Sequence, residues 1–148
     1  MKRKQNKGFT LAELLIVVAI IAVLVAISIP IFSKQLEKSR NATSVANIRS
    51  AYAEAMVEYI NPEVTTSGYT DSTHHMSIVY KDNKIFQICV MNVELKGKVQ
   101  NNWSGMGDNL PFKIKDNHNS GKWMLVFAYN TDGSLNSVTI HGMPSSGK

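Results

Sequence analysis

Gly8-Phe9-Thr10-Leu11-Ala12-Glu13, followed by the run from Leu14 to Phe32, decides how this 148-residue chain folds. Across the 19 residues of that run, Ser28 and Pro30 alone interrupt the apolar side chains, and nothing is charged. As an α-helix the run rises about 28 Å, close to the hydrocarbon thickness of a bilayer. A helix buried at the edge of a soluble core carries a polar stripe towards water, and this one has none. The run therefore reads as a membrane helix.

Working outward, the segment ahead of it holds Lys2, Arg3, Lys4 and Lys7 and no acid. The whole chain has 16 basic and 11 acidic residues, a formal charge of +5. Removing the first eight residues leaves 12 basic against 11 acidic, or +1. The basic balance thus belongs to a short tail. Beside a membrane helix such a tail holds its end in the cytoplasm. A nucleic-acid-binding body would spread its charge over a face instead.

Two readings of the segment compete. An ordinary secretory signal would be cut after the apolar run, at Ala26-Ile27-Ser28, where Pro30 follows closely, and the mature chain would begin at Ile29. The rival places the cut ahead of the run, between Gly8 and Phe9, and rests on Glu13. A carboxylate at membrane depth costs roughly 3 kcal/mol and so calls for a partner or a role. Cleavage after Gly8 creates an amine on Phe9 one helical turn away, and a neighbouring subunit's amine would meet Glu13 in a bundle, where low dielectric strengthens the pair. Thr10 is placed to cap the helix start. Pro30 removes one backbone donor and loosens or kinks the turn before it.

Lys-Gly-Phe-Thr-Leu-Ala-Glu-Leu, with an apolar run containing Pro30 behind it, resembles the class III signal and N-terminal helix of the type IV pilins. The resemblance covers residues 4–32. It implies cleavage after Gly8 by a prepilin peptidase, N-methylation of Phe9, and a role for Glu13 in assembly of a helical filament, with the bilayer, the pilus assembly machinery and its inner-membrane platform as partners on the way. It implies no cofactor, no metal and no enzymatic activity. Ala12 stands where many members carry a larger branched residue, and Ala22 where many carry glycine. The single Cys89 excludes the C-terminal disulfide loop of many diderm pilins, which points to a Gram-positive source.

Beyond the run, Val45, Ile48, Tyr52, Ala55, Tyr59 and Ile60 recur at three- and four-residue spacing, with Arg49, Glu54 and Glu58 off that stripe. Asn61-Pro62 ends the helix. One helix from about Phe9 to Ile60 is expected, with a membrane first half and an amphipathic second half that needs a sheet to cover it. Residues 63–75 read as a loop. Met76–Tyr80 and Ile85–Met91 form strands around the turn Lys81-Asp82-Asn83-Lys84. Trp123–Tyr129 and Leu135–His141 form strands around Asn130-Thr131-Asp132-Gly133-Ser134, where Asp-Gly is the stronger hairpin signal. Phe112–Lys115 is a further short strand, residues 96–110 a loop, and Gly142 to Lys148 a frayed tail. The fold class is α+β: a long N-terminal helix, its distal half packed on an antiparallel sheet. The organisation expected is a leader at 1–8, a membrane and assembly helix at 9–32, the amphipathic half at 33–61 and a sheet-bearing head at 62–148.

The head offers few groups with chemistry. His74-His75 lacks an accompanying carboxylate cluster and reads as a solvated loop. Cys89 sits in an apolar strand pattern and reads as a small core residue. Asp108, Asp116 and Asp132 have no calcium-loop spacing. Lys113, Lys115 and Lys122 with Trp103 or Trp123 form a candidate basic patch for DNA or anionic cell-wall polymer, weighed against an ordinary solvated face. The function expected is a structural subunit, in the first place a major one, of a type IV pilus serving adhesion, motility or aggregation. The alternatives are a pseudopilin of a type II secretion or DNA-uptake system and a secreted or membrane-tethered binding protein with an ordinary signal.

Overall fold

The computed structural model describes residues 8–62, 75–97, 103, 105–114 and 120–143. The chain divides into two compact units, one ending at Leu36 and one starting at Glu37.

In the first unit, residues 8–10 are irregular and the helix α1 (Leu11–Ile60) begins. Its backbone stays helical through Pro30. That proline denies the Ala26 carbonyl its usual donor, so the expected weak turn exists as one missing hydrogen bond rather than as an interruption. Ser28 and Ser33, the two hydroxyls at this level, donate back to the carbonyls of Leu24 at 2.6 Å and Ile29 at 2.9 Å. Such back-bonding leaves no hydroxyl seeking a partner in lipid.

In the second unit the distal part of α1 meets a four-stranded antiparallel sheet of order β1-β2-β3-β4. The strands are β1 (Met76–Lys81), β2 (Lys84–Leu95), β3 (Gly121–Tyr129) and β4 (Leu135–His141), with a short 3-10 turn at Met106–Asn109. This is the α+β architecture expected. The turn between β1 and β2 places Asp82 at φ 52° and Asn83 at φ 60°, the two positive-φ positions of a two-residue hairpin. The β3–β4 turn uses Gly133 at φ 86°, and a side chain there would meet the Tyr59 hydroxyl at 2.7 Å. Glycine is required for both reasons.

The core lies between helix and sheet. Ile48, Ala55, Ile78, Ile88, Leu125 and Phe127 are fully buried there. Each large apolar side chain so buried contributes roughly 1.5–3 kcal/mol. Tyr52 bridges Phe112 at 5.1 Å and Phe127 at 5.9 Å between ring centres, and Tyr59 stacks on Tyr129 at 4.4 Å.

The helix face differs from the expected stripe in three ways. Ile60 is 77% exposed, because it projects away from the face that carries Ala55 and Glu58. Glu58, read from its charge as lying off the stripe, is buried. Asn41 and Ser44 extend the buried face towards the N-terminus. Ser44 Oγ accepts the backbone N–H groups of Lys96 and Gly97, each at 2.9 Å, and donates to the Arg40 carbonyl at 3.0 Å. A polar residue here fastens the chain leaving β2 to the helix. Asn47 does the same one turn on, donating to the Glu94 carbonyl at 2.7 Å.

Strand β2 continues past the expected Met91 to Leu95, through a register shift between Val90 and Val93 with Asn92 at φ 60°. The bulge hides the continuation, since it breaks the period-two pattern. Of the expected strand at Phe112–Lys115, residues 112–114 are described and hold an isolated parallel bridge between Ile114 and Val138. Part of the expected 96–110 loop is the 3-10 turn, tied to α1 by Arg49 donating to the Asn109 carbonyl at 3.0 Å. Residues 63–74 of the expected loop and 144–148 of the expected tail lie outside the described residues.

Candidate functional site

The N-terminal residues of the helix form a closed hydrogen-bonded unit. Glu13 Oε2 accepts the Thr10 backbone N–H and the Thr10 hydroxyl, each at 2.8 Å. Thr10 Oγ1 in turn accepts the Glu13 backbone N–H at 3.3 Å. This is a reciprocal capping box, Thr10 at the N-cap and Glu13 three residues on. It satisfies two orphan donors of the first turn and sets a carboxylate at the positive end of the helix dipole. Thr10 was expected to cap. That Glu13 reaches back to it went unread, although the Thr-x-x-Glu spacing carries the signal.

The consequence for Glu13 is electrostatic. The carboxylate expected to be isolated already has partners in its own chain, both on one oxygen. Among the described residues, Oε1 has no intrachain partner. The carboxylate is therefore stabilised by two neutral donors, and its second oxygen stays open to a further one.

Just ahead, Gly8 and Phe9 lie outside any regular element. Phe9 is 90% exposed, and no atom lies within 4 Å of where a Gly8 side chain would be. Among the described residues, nothing covers the junction between them. Behind Glu13, the large apolar side chains from Leu14 to Phe32 are exposed, from 48% at Val25 to 70% at Phe32. The helix is long and apolar enough to cross a membrane. With none of the described residues over it, this surface needs lipid or other helices.

The head candidates resolve differently. His75 Nε2 lies 2.7 Å from Glu54 Oε2, an exposed pair linking the start of β1 to α1. His74 lies outside the described residues. Cys89 is buried in the sheet; burial pushes its thiol pKa up, with the nearby Ser77 hydroxyl pulling the other way, so it is no ready nucleophile. The Asp132 carboxylate accepts the Ser134 hydroxyl at 2.6 Å and its N–H at 2.9 Å, which hold its pKa below the usual value. Asp108 lies in the 3-10 turn and Asp116 outside the described residues. Among the described residues no cluster of three metal-ligating groups occurs.

The basic patch is not assembled as expected. Trp103 is a core residue, 1% exposed, and presents no ring for stacking. Trp123 is partly buried against the core. Lys122 sits opposite Glu94 in the β2–β3 register, so its charge is locally balanced. Lys113 is exposed, and Lys115 lies outside the described residues.

Comparison with known proteins finds a family model on this N-terminal segment and relatives that match part of the chain. The prokaryotic N-terminal methylation motif matches residues 3–29. The type IV narrow pilus major component PilA5 of Thermus thermophilus is 42% identical over 78 residues, covering 43% of this chain and 67% of the relative. The type IV major pilin protein PilA of Myxococcus xanthus is 48% identical over 48 residues, 32% of this chain and 22% of that protein. A fimbrial protein of Pseudomonas aeruginosa is 36% identical over 83 residues, 47% of this chain and 53% of the relative. The chain thus spans about a fifth and about half of the lengths of the last two. No solved structure matches it. With an exposed Gly-Phe junction, a capped glutamate, an uncovered apolar helix and a sheet-backed head in one polypeptide, the chain belongs to the type IV pilin family.

Proposed function

We propose that this chain is a structural subunit of a surface pilus, cut between Gly8 and Phe9 by a prepilin peptidase and methylated on the new Phe9 amine. Before assembly, its first helical half lies in the cytoplasmic membrane, with the basic leader on the cytoplasmic side. Afterwards it lies among the same halves of sister subunits. The observation that carries this reading is the Thr10–Glu13 capping box at the head of an uncovered apolar helix.

The box answers two needs in succession. In the membrane, Thr10 supplies two donors to a carboxylate that would otherwise face hydrocarbon. In the filament, the remaining Glu13 oxygen takes the Phe9 amine of a neighbour, and the pair sets the axial register between subunits. Exchange of lipid for sister helices costs little hydrophobic energy, because both surroundings are apolar. Specificity must then come from polar contacts, and Glu13 with the Phe9 amine is the one available near the helix start. The organisation follows: leader 1–8, assembly helix 9–32, amphipathic half 33–61, head 62–148. The membrane platform and assembly machinery are its transient partners, and other copies of itself its lasting ones.

Mass spectrometry of the mature N-terminus tests this reading. A chain starting at N-methylated Phe9 supports it, whereas a start at Ile29 or an intact Met1 overturns it. The names of two relatives, a major pilin and a major pilus component, favour a pilus over a secretion pseudopilin.

A further inference from the structure

The inner strands of the sheet stop pairing before their outer neighbours do. The last β2–β3 pair towards the hairpin tips is Gln87 with Ala128. β1 and β2 stay paired as far as Lys81 with Lys84, and β3 and β4 as far as Tyr129 with Leu135. Each hairpin shifts register at this level, one between Val79 and Tyr80, the other between Ala128 and Tyr129. Such irregularities bend and twist a strand locally. A cleft of about 580 Å³ lies between the two hairpin tips, with Lys81, Asp82 and Phe86 on one wall and Asn130 and Asn136 on the other. Its size falls within the roughly 300–1,000 Å³ of small-molecule sites.

The cleft is built rather than a gap between slack loops. Lys84 Nζ donates to the Thr131 carbonyl at 3.2 Å and ties the tips together. Asn130 Nδ2 donates to Ser134 Oγ at 2.9 Å, and Asp132 is occupied by Ser134 as well. What remains on offer is specific. Phe86 is a large ring 39% exposed, and Lys81 Nζ stands 5.6 Å from its centre. Among the described residues, the Asp82 carboxylate and the Asn136 amide make no hydrogen bond.

The lining selects a ligand class. Lys81 and Lys84 are balanced by Asp82 and Asp132, so a phosphate or other dianion would meet two carboxylates for its two ammonium groups. A wholly apolar molecule would strand the amide and the carboxylate without partners, at a cost. A neutral molecule with an apolar face and several hydroxyls satisfies both walls: the face lies on the Phe86 ring, while adjacent hydroxyls donate to Asp82 and exchange hydrogen bonds with Asn136 and Lys81. We propose that the cleft between the two hairpin tips is a binding site for a neutral saccharide.

The test is a titration of the isotope-labelled full chain, in a sugar-free detergent, with maltotriose, cellotriose and chitotriose, followed by amide chemical shifts. Saturable shifts confined to Phe86, Tyr129 and Asn136 with at least one sugar are expected. Phe86→Ala is expected to weaken that binding about tenfold, the scale of one aromatic contact. Asn136→Ala weakens it as well, and Lys122→Ala, at the far end of β3, leaves it unchanged. The amide spectrum outside the cleft checks that each variant is folded, and Phe86→Leu replaces Phe86→Ala if that one is not. No saturable shift with any of the three sugars overturns the proposal, as does binding insensitive to the substitutions at Phe86 and Asn136. Saturation by inorganic phosphate instead makes the cleft an anion site and overturns it equally. The measurement needs no filament, so its outcome is separate from that of the pilus reading.

Discussion

The two halves of α1 share a backbone geometry and differ in what covers them. From Leu14 to Phe32 the helix is apolar on every side and exposed on every side. From Asn41 onward one face is buried against the sheet, and the buried residues include Asn41, Ser44 and Glu58. The apolar half is the one without a protein core, and the half with a core admits polar groups into it. Hydrophobicity alone therefore does not mark what packs within a subunit. In the first half it is a surface held for lipid and other helices; in the second, burial is set by the sheet, and polar residues enter where they fasten the chain to it.

The largest test of this division is Glu13→Ala. Loss of surface filaments with an unchanged thermal melt of the head is expected, read by electron microscopy and tryptophan fluorescence. Normal piliation would remove Glu13 from the assembly step. Next comes a pair of matched truncations. Ile48→Ala, at a fully buried site, should cost about 2–5 kcal/mol in urea unfolding of the detergent-held chain. Ile20→Ala, 55% exposed, should leave that transition within about 0.5 kcal/mol. Equal losses would mean that the two halves are not distinct.

A smaller effect concerns Tyr129, whose buried hydroxyl has no hydrogen-bond partner among the described residues. Burial foremost, with Tyr52 and Tyr59 nearby, pushes its pKa up from 10.0 to about 12. A raised phenol pKa means that the folded state holds its proton longer. The associated stability is complete below pH 10 and disappears as pH rises towards 12, by up to about 1.4 kcal/mol per pH unit. Tyr129→Phe should flatten that alkaline decline and change neutral-pH stability little; a decline that persists in the variant would assign it elsewhere. The smallest effect is that of Thr10→Val, which keeps the shape and removes the hydroxyl of the capping box. A loss of about 1 kcal/mol in first-turn protection by amide hydrogen exchange is expected, with Thr10→Ser near wild type. Unaltered exchange in Thr10→Val would show that the box does not hold the helix start.

Much of this was legible in local sequence. The membrane-length run, the junction ahead of it, the helix stop at Asn61-Pro62 and both hairpin turns depend on residues adjacent in the chain, and β4 was found at its observed bounds. The reading failed where a residue's surroundings come from elsewhere. Trp103, in a glycine- and asparagine-rich stretch, looked available for stacking and is buried in the core. Asn92–Leu95 continued β2 behind a bulge that broke the alternation. Glu58 carried a charge that pointed to solvent and sits on the buried face.

The sequence by itself determined the long helix, the capped glutamate at its head and the apolar surface behind it, because each follows from spacings within one or two helical turns. Only the tertiary structure decided which polar residues the sheet would cover, and that the two hairpins part beyond Gln87 and Ala128 to leave a cleft. Those outcomes depend on strand register and on contacts between residues far apart in the chain, to which no local periodicity responds.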